Sequence, residues 1–175
     1  MLLAIASVWD DRNGFGDFIS LRNYLSDKYV IVLVGINDKQ RKMLPYGIIG
    51  IQKTNNQTEL AQLYTMATVL LSLSRGETFG MTMAEAYACG TPAIVYDNTA
   101  QPEIISSETG RIAVTGDLKQ LAKIVDNYCE ELQDNAKKKI VKENCQQLAE
   151  KQYENKSCFE KYIKLYTICM KEKRL

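Results

Sequence analysis

Two glutamates stand eight positions apart in a segment whose pattern is strand, loop, helix, strand. The segment SRGETFGMTMAEAYACGTP spans 74–92 and follows an apolar run, which places Glu77 in the loop and Glu85 on the helix. A carboxylate can accept hydrogen bonds from two neighbouring hydroxyl groups or stabilise a positive charge. Simpler interpretations are a helix-surface glutamate for Glu85 and an acid favoured by the helix dipole for Glu77.

The helix after Glu77 is predicted to begin at 78–80 and to end at Cys89, where Gly90 terminates it. In a parallel sheet, the loop before such a helix lies at the carboxyl edge of the strands, where open α/β folds bind ligands. Unpaired N–H groups at a helix start suit a phosphate, and glycine leaves room for close backbone approach. The N–H groups predicted to face an anion belong to Phe79, Gly80 and Met81.

The composition removes several kinds of chemistry. The chain has no histidine, which excludes a histidine base, a Ser-His-Asp or Cys-His arrangement and the common zinc sites. Acid–base chemistry must then use carboxylates, lysine, tyrosine or the backbone. A net charge of +1 gives no electrostatic reason to expect a nucleic-acid partner.

The cysteines and the first apolar run bear on the cellular compartment. The run at 1–7 lacks the basic region of a signal peptide, and no apolar stretch approaches the length that spans a bilayer. The five cysteines contain no C-x-x-C pair, so we expect reduced thiols and a cytoplasmic protein.

The loop that contains Glu77 must be positioned by regular elements, and apolar runs that alternate with helical patterns predict such elements along the chain. They predict a single α/β domain over residues 1–175: a Rossmann-like, doubly wound, mostly parallel six-stranded sheet of order 3-2-1-4-5-6, with C-terminal helices. Residues 36–46 are predicted to form a polar loop, and Thr58 is the expected cap of the helix at 58–66. The strands are predicted at 2–8, 29–35, 47–51, 69–73, 93–96 and 110–114, and the last three helices near 118–128, 134–150 and 155–172.

The segment ETFGMTMAE at 77–85, followed by AYACGTP at 86–92, resembles the E-x7-E motif of the family-4 glycosyltransferases, which are retaining enzymes of GT-B fold. The FG between the glutamates and the EA..ACGTP that follows make the match specific. The resemblance runs from Ala4 to about Tyr166 but covers only the second half of a GT-B enzyme. It implies a nucleotide-sugar domain with a role in polysaccharide biosynthesis.

The resemblance also implies roles for residues of the motif. Glu85 would accept hydrogen bonds from the ribose hydroxyls of a UDP-, GDP- or ADP-sugar. Glu77 would be the catalytic carboxylate, facing the donor sugar where positive charge builds on the anomeric carbon. With the diphosphate held by N–H groups, no metal and no other cofactor is expected. The residues expected at the diphosphate are Phe79, Gly80, Met81 and Thr82.

Three further donor-site residues follow from the same resemblance. At the turn after the first strand the family often has Arg-Lys-Gly, and this chain has Arg12, Asn13 and Gly14. Asn13 therefore stands where a lysine would contact the diphosphate, and Arg12 either shares that contact or is a solvated turn residue. The backbone around Thr54 would face the nucleobase, although simple turn chemistry also explains Thr54.

A GT-B enzyme has an acceptor domain before this one, so we expect the chain to be inactive alone and to need that N-terminal domain in cis or in trans. Part of the helix near 155–172 would pack on the partner, and any membrane association would come through that missing half. Two alternatives stay open. One is a nucleotide-binding module without transferase activity, and the other is a degenerate interaction domain.

Overall fold

The computed structural model describes residues 1–172 and contains one six-stranded sheet in which every neighbouring pair is parallel. The strand order is β3-β2-β1-β4-β5-β6, as predicted, so the order reverses between β1 and β4. Each strand is short and lies within its predicted range. The strands are β1 Leu2–Ile5, β2 Ile31–Val34, β3 Ile48–Ile51, β4 Val69–Ser72, β5 Ala93–Tyr96 and β6 Gly110–Ala113.

Helices connect the strands and continue the chain after β6. Helix α1 is followed by a 3₁₀ turn at Arg22–Tyr24 and contacts α6, whereas α4 contacts both α3 and α7, as expected when crossovers wind in both directions from the centre of the sheet. The helices are α1 Phe15–Leu21, α2 Asp38–Arg41, α3 Gln57–Met66, α4 Met81–Ala88, α5 Gln101–Ile104, α6 Leu118–Glu131, α7 Asn135–Tyr153 and α8 Asn155–Glu172.

Two local predictions were wrong, and both concern helix caps. The polar stretch at 36–46 contains the short helix α2, because Asn37 and Gln40 form a capping box: each side chain accepts from the other residue's N–H. Thr58 does not cap α3. The cap is Asn56, whose side chain accepts from Glu59 N–H at 2.9 Å, so the helix begins one residue earlier.

The centre of the sheet is the core. Strands β2 and β5 are buried at every position, and the first three residues of β1 and of β4 are buried as well, which explains their continuous apolar sequence. The edge strands differ, since Ile49 of β3 and Ile112 of β6 are exposed. The site loops therefore extend from the most deeply buried part of the sheet.

The last helix packs little of its apolar surface. Helix α8 contacts α7, yet the side chains of Phe159, Tyr162, Ile163 and Tyr166 are each at least 60% exposed. Their spacing predicts one face of a helix, and the structure leaves that face uncovered. Among the helices of residues 1–172, none combines the length and hydropathy that crossing a lipid bilayer requires.

The turn between β1 and α1 presses against the end of β4, and this contact can be tested by substitution. Gly14 has φ +76°, and a Cβ placed there would lie 2.5 Å from the Leu73 carbonyl oxygen. We expect Gly14→Ala to reduce the free energy of unfolding by about 1–3 kcal/mol in urea denaturation.

Gly16 supplies the matched control, because it lies in α1 with no atom within 4 Å of an added Cβ. Gly16→Ala should be neutral or stabilising by up to about 1 kcal/mol. Equal losses in the two variants would contradict a specific contact at Gly14.

Candidate functional site

A cavity of about 290 Å³ opens at the carboxyl edge of the sheet, between the ends of β1 and β4. This is the point where the strand order reverses, so the loops after the two strands diverge and leave a crevice. The residues around it come from the turn after β1, the end of β4 and the start of α4. The polar lining residues are Ser7, Arg12, Asn13, Ser72, Ser74, Glu77, Thr78 and Thr82, joined by Phe79, Gly80 and Met81.

The start of α4 presents backbone donors to this cavity. Gly80 is the N-cap, with φ +91°, and Met81 is the first helical residue, just after the predicted start. Within residues 1–172, no protein acceptor pairs with the N–H groups of Gly80, Met81 and Thr82, and the first paired one is that of Met83. These three donors and the positive end of the helix dipole can bind an anion.

Glu77 lies half-buried in the cavity wall, and its backbone is held from the neighbouring loop. Its N–H donates to Thr99 Oγ1 at 2.8 Å, and its carbonyl accepts from Ala100 N–H at 3.4 Å. Gln101, two residues after Thr99, is buried and donates from Nε2 to the Ser74 carbonyl at 2.8 Å. The loop carrying the carboxylate is therefore fixed by hydrogen bonds from residues 99–101.

Asp17 of α1 joins the same loop to the end of β5. Its Oδ2 accepts from Arg75 at 2.6 Å and from the Tyr96 hydroxyl at 2.9 Å. Burial, together with the hydrogen bond to Asp17, raises the pKa of Tyr96 well above its ordinary value, so the hydroxyl stays protonated and donates. Arg75 also donates its N–H to the Arg12 carbonyl at 2.7 Å, which ties the loops after β1 and β4 together.

The turn after β1 places Arg12 and Asn13 in the cavity lining. The Arg12 side chain is exposed and passes close to Gly76. The Asn13 amide is engaged within the protein: Nδ2 donates to the Val8 carbonyl at 2.8 Å, and Oδ1 accepts from Ser74 Oγ at 3.5 Å. Asn13 therefore shapes the loop, whereas Arg12 can turn towards a ligand.

Glu85 does not line this cavity. It lies on the edge of a larger, mainly apolar groove of about 710 Å³ between α4 and the end of α7. Its Oε2 accepts from the Tyr64 hydroxyl at 2.7 Å. Burial and this hydrogen bond raise the pKa of Tyr64 well above its ordinary value, so Tyr64 remains a donor that orients the carboxylate.

Phe79 and Met81 line both the cavity and the groove, so the two spaces adjoin at the start of α4. Phe79 contacts Tyr153, the last residue of α7, edge to face, with ring centroids 5.4 Å apart. Thr54 follows β3 at the same edge of the sheet, but β2 separates β3 from β1, and Thr54 is not part of the cavity lining. The structure thus separates Glu85 and Thr54 from the other predicted residues.

Sequence reasoning missed the residues that hold the site in place. Asp17, Thr99 and Gln101 contact the loop across separations of 58, 22 and 27 positions in the sequence, and no local pattern marks them. Within residues 1–172, no cluster of three or more cysteine, aspartate or glutamate side chains is arranged to hold a metal ion.

The fold and the cavity define a doubly wound α/β domain, with a helix start at its switch point whose unpaired N–H groups can bind an anion. The chain belongs to the group 1 glycosyl transferases, since the sequence model of the family described as "Glycosyl transferases group 1" matches residues 18–154. This match confirms the resemblance inferred from residues 77–92.

Known proteins of similar sequence or structure agree with this family. N-acetyl-alpha-D-glucosaminyl L-malate synthase of Bacillus anthracis is 29% identical over 111 residues, which are 63% of this chain and 28% of that protein. The structure of Anabaena Alr3699/HepE in complex with UDP has a TM-score of 0.79 at 18% identity, covering 95% of this chain and 48% of that chain. The chain thus spans less than half the length of these two proteins.

A third similarity is to a single domain. The C-terminal domain of the group 1 family glycosyl transferase LpcC from Francisella tularensis has a TM-score of 0.69 at 20% identity. The alignment covers 88% of this chain and 86% of that domain. At these identities, the structural similarities show the GT-B type of fold.

The Asp17 contacts give a prediction for the stability of the loop. Asp17→Asn removes the charge that Arg75 and Tyr96 share, so we expect a loss of about 1–2 kcal/mol in the free energy of unfolding, measured in urea. The control is Glu143→Gln, which breaks the exposed pair with Lys139 and should change stability by less than about 0.5 kcal/mol. Losses of the same size would show that Asp17 acts only as another surface charge.

Proposed function

We propose that this domain binds a nucleotide-sugar and is the donor half of a retaining glycosyltransferase. The observation that carries the proposal is the cavity at the switch point, which brings Glu77 and the unpaired N–H groups of α4 together. The structures of Anabaena Alr3699/HepE in complex with UDP and with UDP-glucose support a donor of this class. The donor in this proposal is a UDP-, GDP- or ADP-sugar.

In this proposal the diphosphate lies at the start of α4. The N–H groups of Phe79, Gly80, Met81 and Thr82, together with Arg12, balance its charge, so no metal is required. The bond that breaks joins the anomeric carbon of the sugar to a diphosphate oxygen, and the bond that forms joins the same carbon to the oxygen of the acceptor hydroxyl, whose proton passes to the departing diphosphate. The Glu77 carboxylate stabilises the positive charge on that carbon.

The nucleoside would extend from the cavity into the adjoining groove, past Phe79 and Met81. Glu85 is one helical turn from Met81 and accepts the ribose hydroxyls, while the Tyr64 hydroxyl occupies one of its lone pairs and fixes its orientation. Thr54 lines neither the cavity nor the groove, so this arrangement assigns it no contact with the donor. The donor then spans both spaces, which explains why the two glutamates lie in different ones.

Transfer needs an acceptor domain, in cis or in trans. Two observations support this part of the proposal: the chain spans less than half of the Anabaena protein, and α8 leaves an apolar face uncovered. We place that face against the acceptor domain, through which any association with a membrane would also come. The five unpaired cysteines fit a reducing compartment, and we propose that the domain is cytoplasmic.

One observation favours a second candidate, a nucleotide-binding module without transferase activity. The Asn13 amide is bonded to Val8 and Ser74, so this position offers no cation to a leaving diphosphate. Such a module would bind nucleotide but give no glycosyl transfer or donor hydrolysis when mixed with an acceptor domain. A degenerate interaction domain would bind neither nucleotide nor nucleotide-sugar.

Calorimetric titration with UDP, GDP, ADP and their glucose conjugates tests the proposal. We expect the nucleotide of one base, and its glucose conjugate, to bind. Glu85→Gln should weaken this binding by about five- to tenfold, because a charged acceptor for the ribose hydroxyls is lost. Glu108→Gln is the control, since Glu108 precedes β6 at the opposite edge of the sheet and should leave affinity unchanged. Failure of the wild type to bind any ligand up to millimolar concentration would contradict the proposed function.

Asn13 can be tested by adding the missing charge. Asn13→Lys loses the hydrogen bond to the Val8 carbonyl, so thermal denaturation should show a loss of about 1 kcal/mol in stability. The lysine would reach the cavity and strengthen binding of the nucleoside diphosphate about tenfold, but not that of the nucleoside. Unchanged diphosphate affinity would show that the phosphates do not lie beside this turn.

A further inference from the structure

Thr99 has a backbone conformation that is unusual for its residue type. Its φ is +50°, and among residues 1–172 it is the only residue other than glycine with a positive φ. A β-branched side chain is especially unfavourable in this region, whereas glycine adopts it without steric penalty. The chain therefore has a threonine at a position where glycine would remove the backbone strain.

The turn that contains Thr99 is held firmly at both ends. Asp97 accepts two hydrogen bonds from Thr115, from its N–H and its hydroxyl, each 2.8 Å long, and donates its own N–H to the Ala113 carbonyl. Gln101 is fully buried and donates to the Ser74 carbonyl. Such surroundings can maintain a strained residue, and strain of this kind concentrates at functional sites.

Within the part of the chain that the structure describes, the Thr99 hydroxyl has one hydrogen-bond partner, and that partner is Glu77, the residue that carries the proposed chemistry. Thr99 Oγ1 accepts the Glu77 N–H at 2.8 Å. The peptide bond involved follows Gly76, which has no side chain and whose added Cβ would meet only the Arg12 stem, at 3.7 Å. Without the hydroxyl, rotation about Gly76 would be the easiest way for the loop to turn the Glu77 carboxylate out of the cavity.

We propose that Thr99 is a positioning residue for Glu77: its hydroxyl fixes the Gly76–Glu77 peptide and so aims the carboxylate at the donor sugar. This inference rests on the proposed function, because the sugar is what Glu77 would face. It also explains why a strained threonine stands at position 99. A glycine would relieve the strain but has no side-chain acceptor for the Glu77 N–H.

Three variants separate the hydroxyl from the backbone strain. Thr99→Ser keeps the acceptor, Thr99→Ala removes it and retains a side chain at positive φ, and Thr99→Gly removes both the acceptor and the strain. The first readout is hydrogen exchange of the Glu77 amide by NMR. It should match the wild type in Thr99→Ser and be about tenfold faster in the other two variants.

The second readout is the affinity ratio of the nucleotide-sugar to the nucleotide alone, with Glu77→Gln as the reference for a lost sugar contact. Thr99→Ala and Thr99→Gly should both lower this ratio about fivefold and leave affinity for the nucleotide unchanged. The melting temperature should rank differently, with Thr99→Gly above Thr99→Ala. A purely structural hydroxyl would instead make the affinity ratio follow the melting temperature.

The outcomes separate the proposed role of Glu77 from the positioning role of Thr99. A wild-type domain that binds no nucleotide-sugar, or a ratio that Glu77→Gln leaves unchanged, overturns the proposed role of Glu77 and this inference with it. A ratio that falls in Glu77→Gln but is the same in Thr99→Ala, Thr99→Ser and the wild type overturns the inference alone.

Discussion

The close approach of Gly14 to Leu73 is the constraint on which the site depends. Strands β1 and β4 are neighbours, and the order of the sheet reverses between them, so the loops after them turn in opposite directions. A side chain at Gly14 would push the turn after β1 away from β4 and widen the crevice. With glycine there, Arg12 and Glu77 line one small cavity beside the start of α4.

Within this frame, polar contacts help to fix the loop at 74–80, which carries Glu77. Thr99 holds the Glu77 amide, Gln101 holds the Ser74 carbonyl and Asp17 holds Arg75. Each attachment comes from outside the loop, since Asp17 lies in α1 and Thr99 and Gln101 lie in the segment after β5. A loop that must carry a carboxylate towards solvent gains little from apolar burial, and directional hydrogen bonds fix it instead.

The sequence was most informative where local patterns carry the information. The apolar runs predicted the six strands and their order, and the segment at 77–92 predicted the family and the position of α4, including Gly90 just after its C-cap. The capping box of α2 was also local, since Asn37 and Gln40 have the right spacing, but it was overlooked.

What could not be predicted is long-range. Asp17 and Tyr96 are 79 positions apart, and nothing near either residue indicates the other. The positive φ of Thr99 depends on anchors at both ends of its turn, and the groove beside Glu85 is formed by α4 and α7, which are far apart in the sequence.

The contact between Phe79 and Tyr153 connects two parts of the molecule that the topology keeps apart. Tyr153 is the last residue of α7, and α8 begins two residues later. The aromatic pair therefore puts the start of α4 in contact with the junction between α7 and α8. A surface that immobilises α8 would leave the Phe79 loop with less conformational entropy to lose when an anion binds. Thermodynamic linkage makes that effect mutual. Binding of a partner to α8 would favour binding of an anion in the cavity, and binding of the anion would favour binding of the partner.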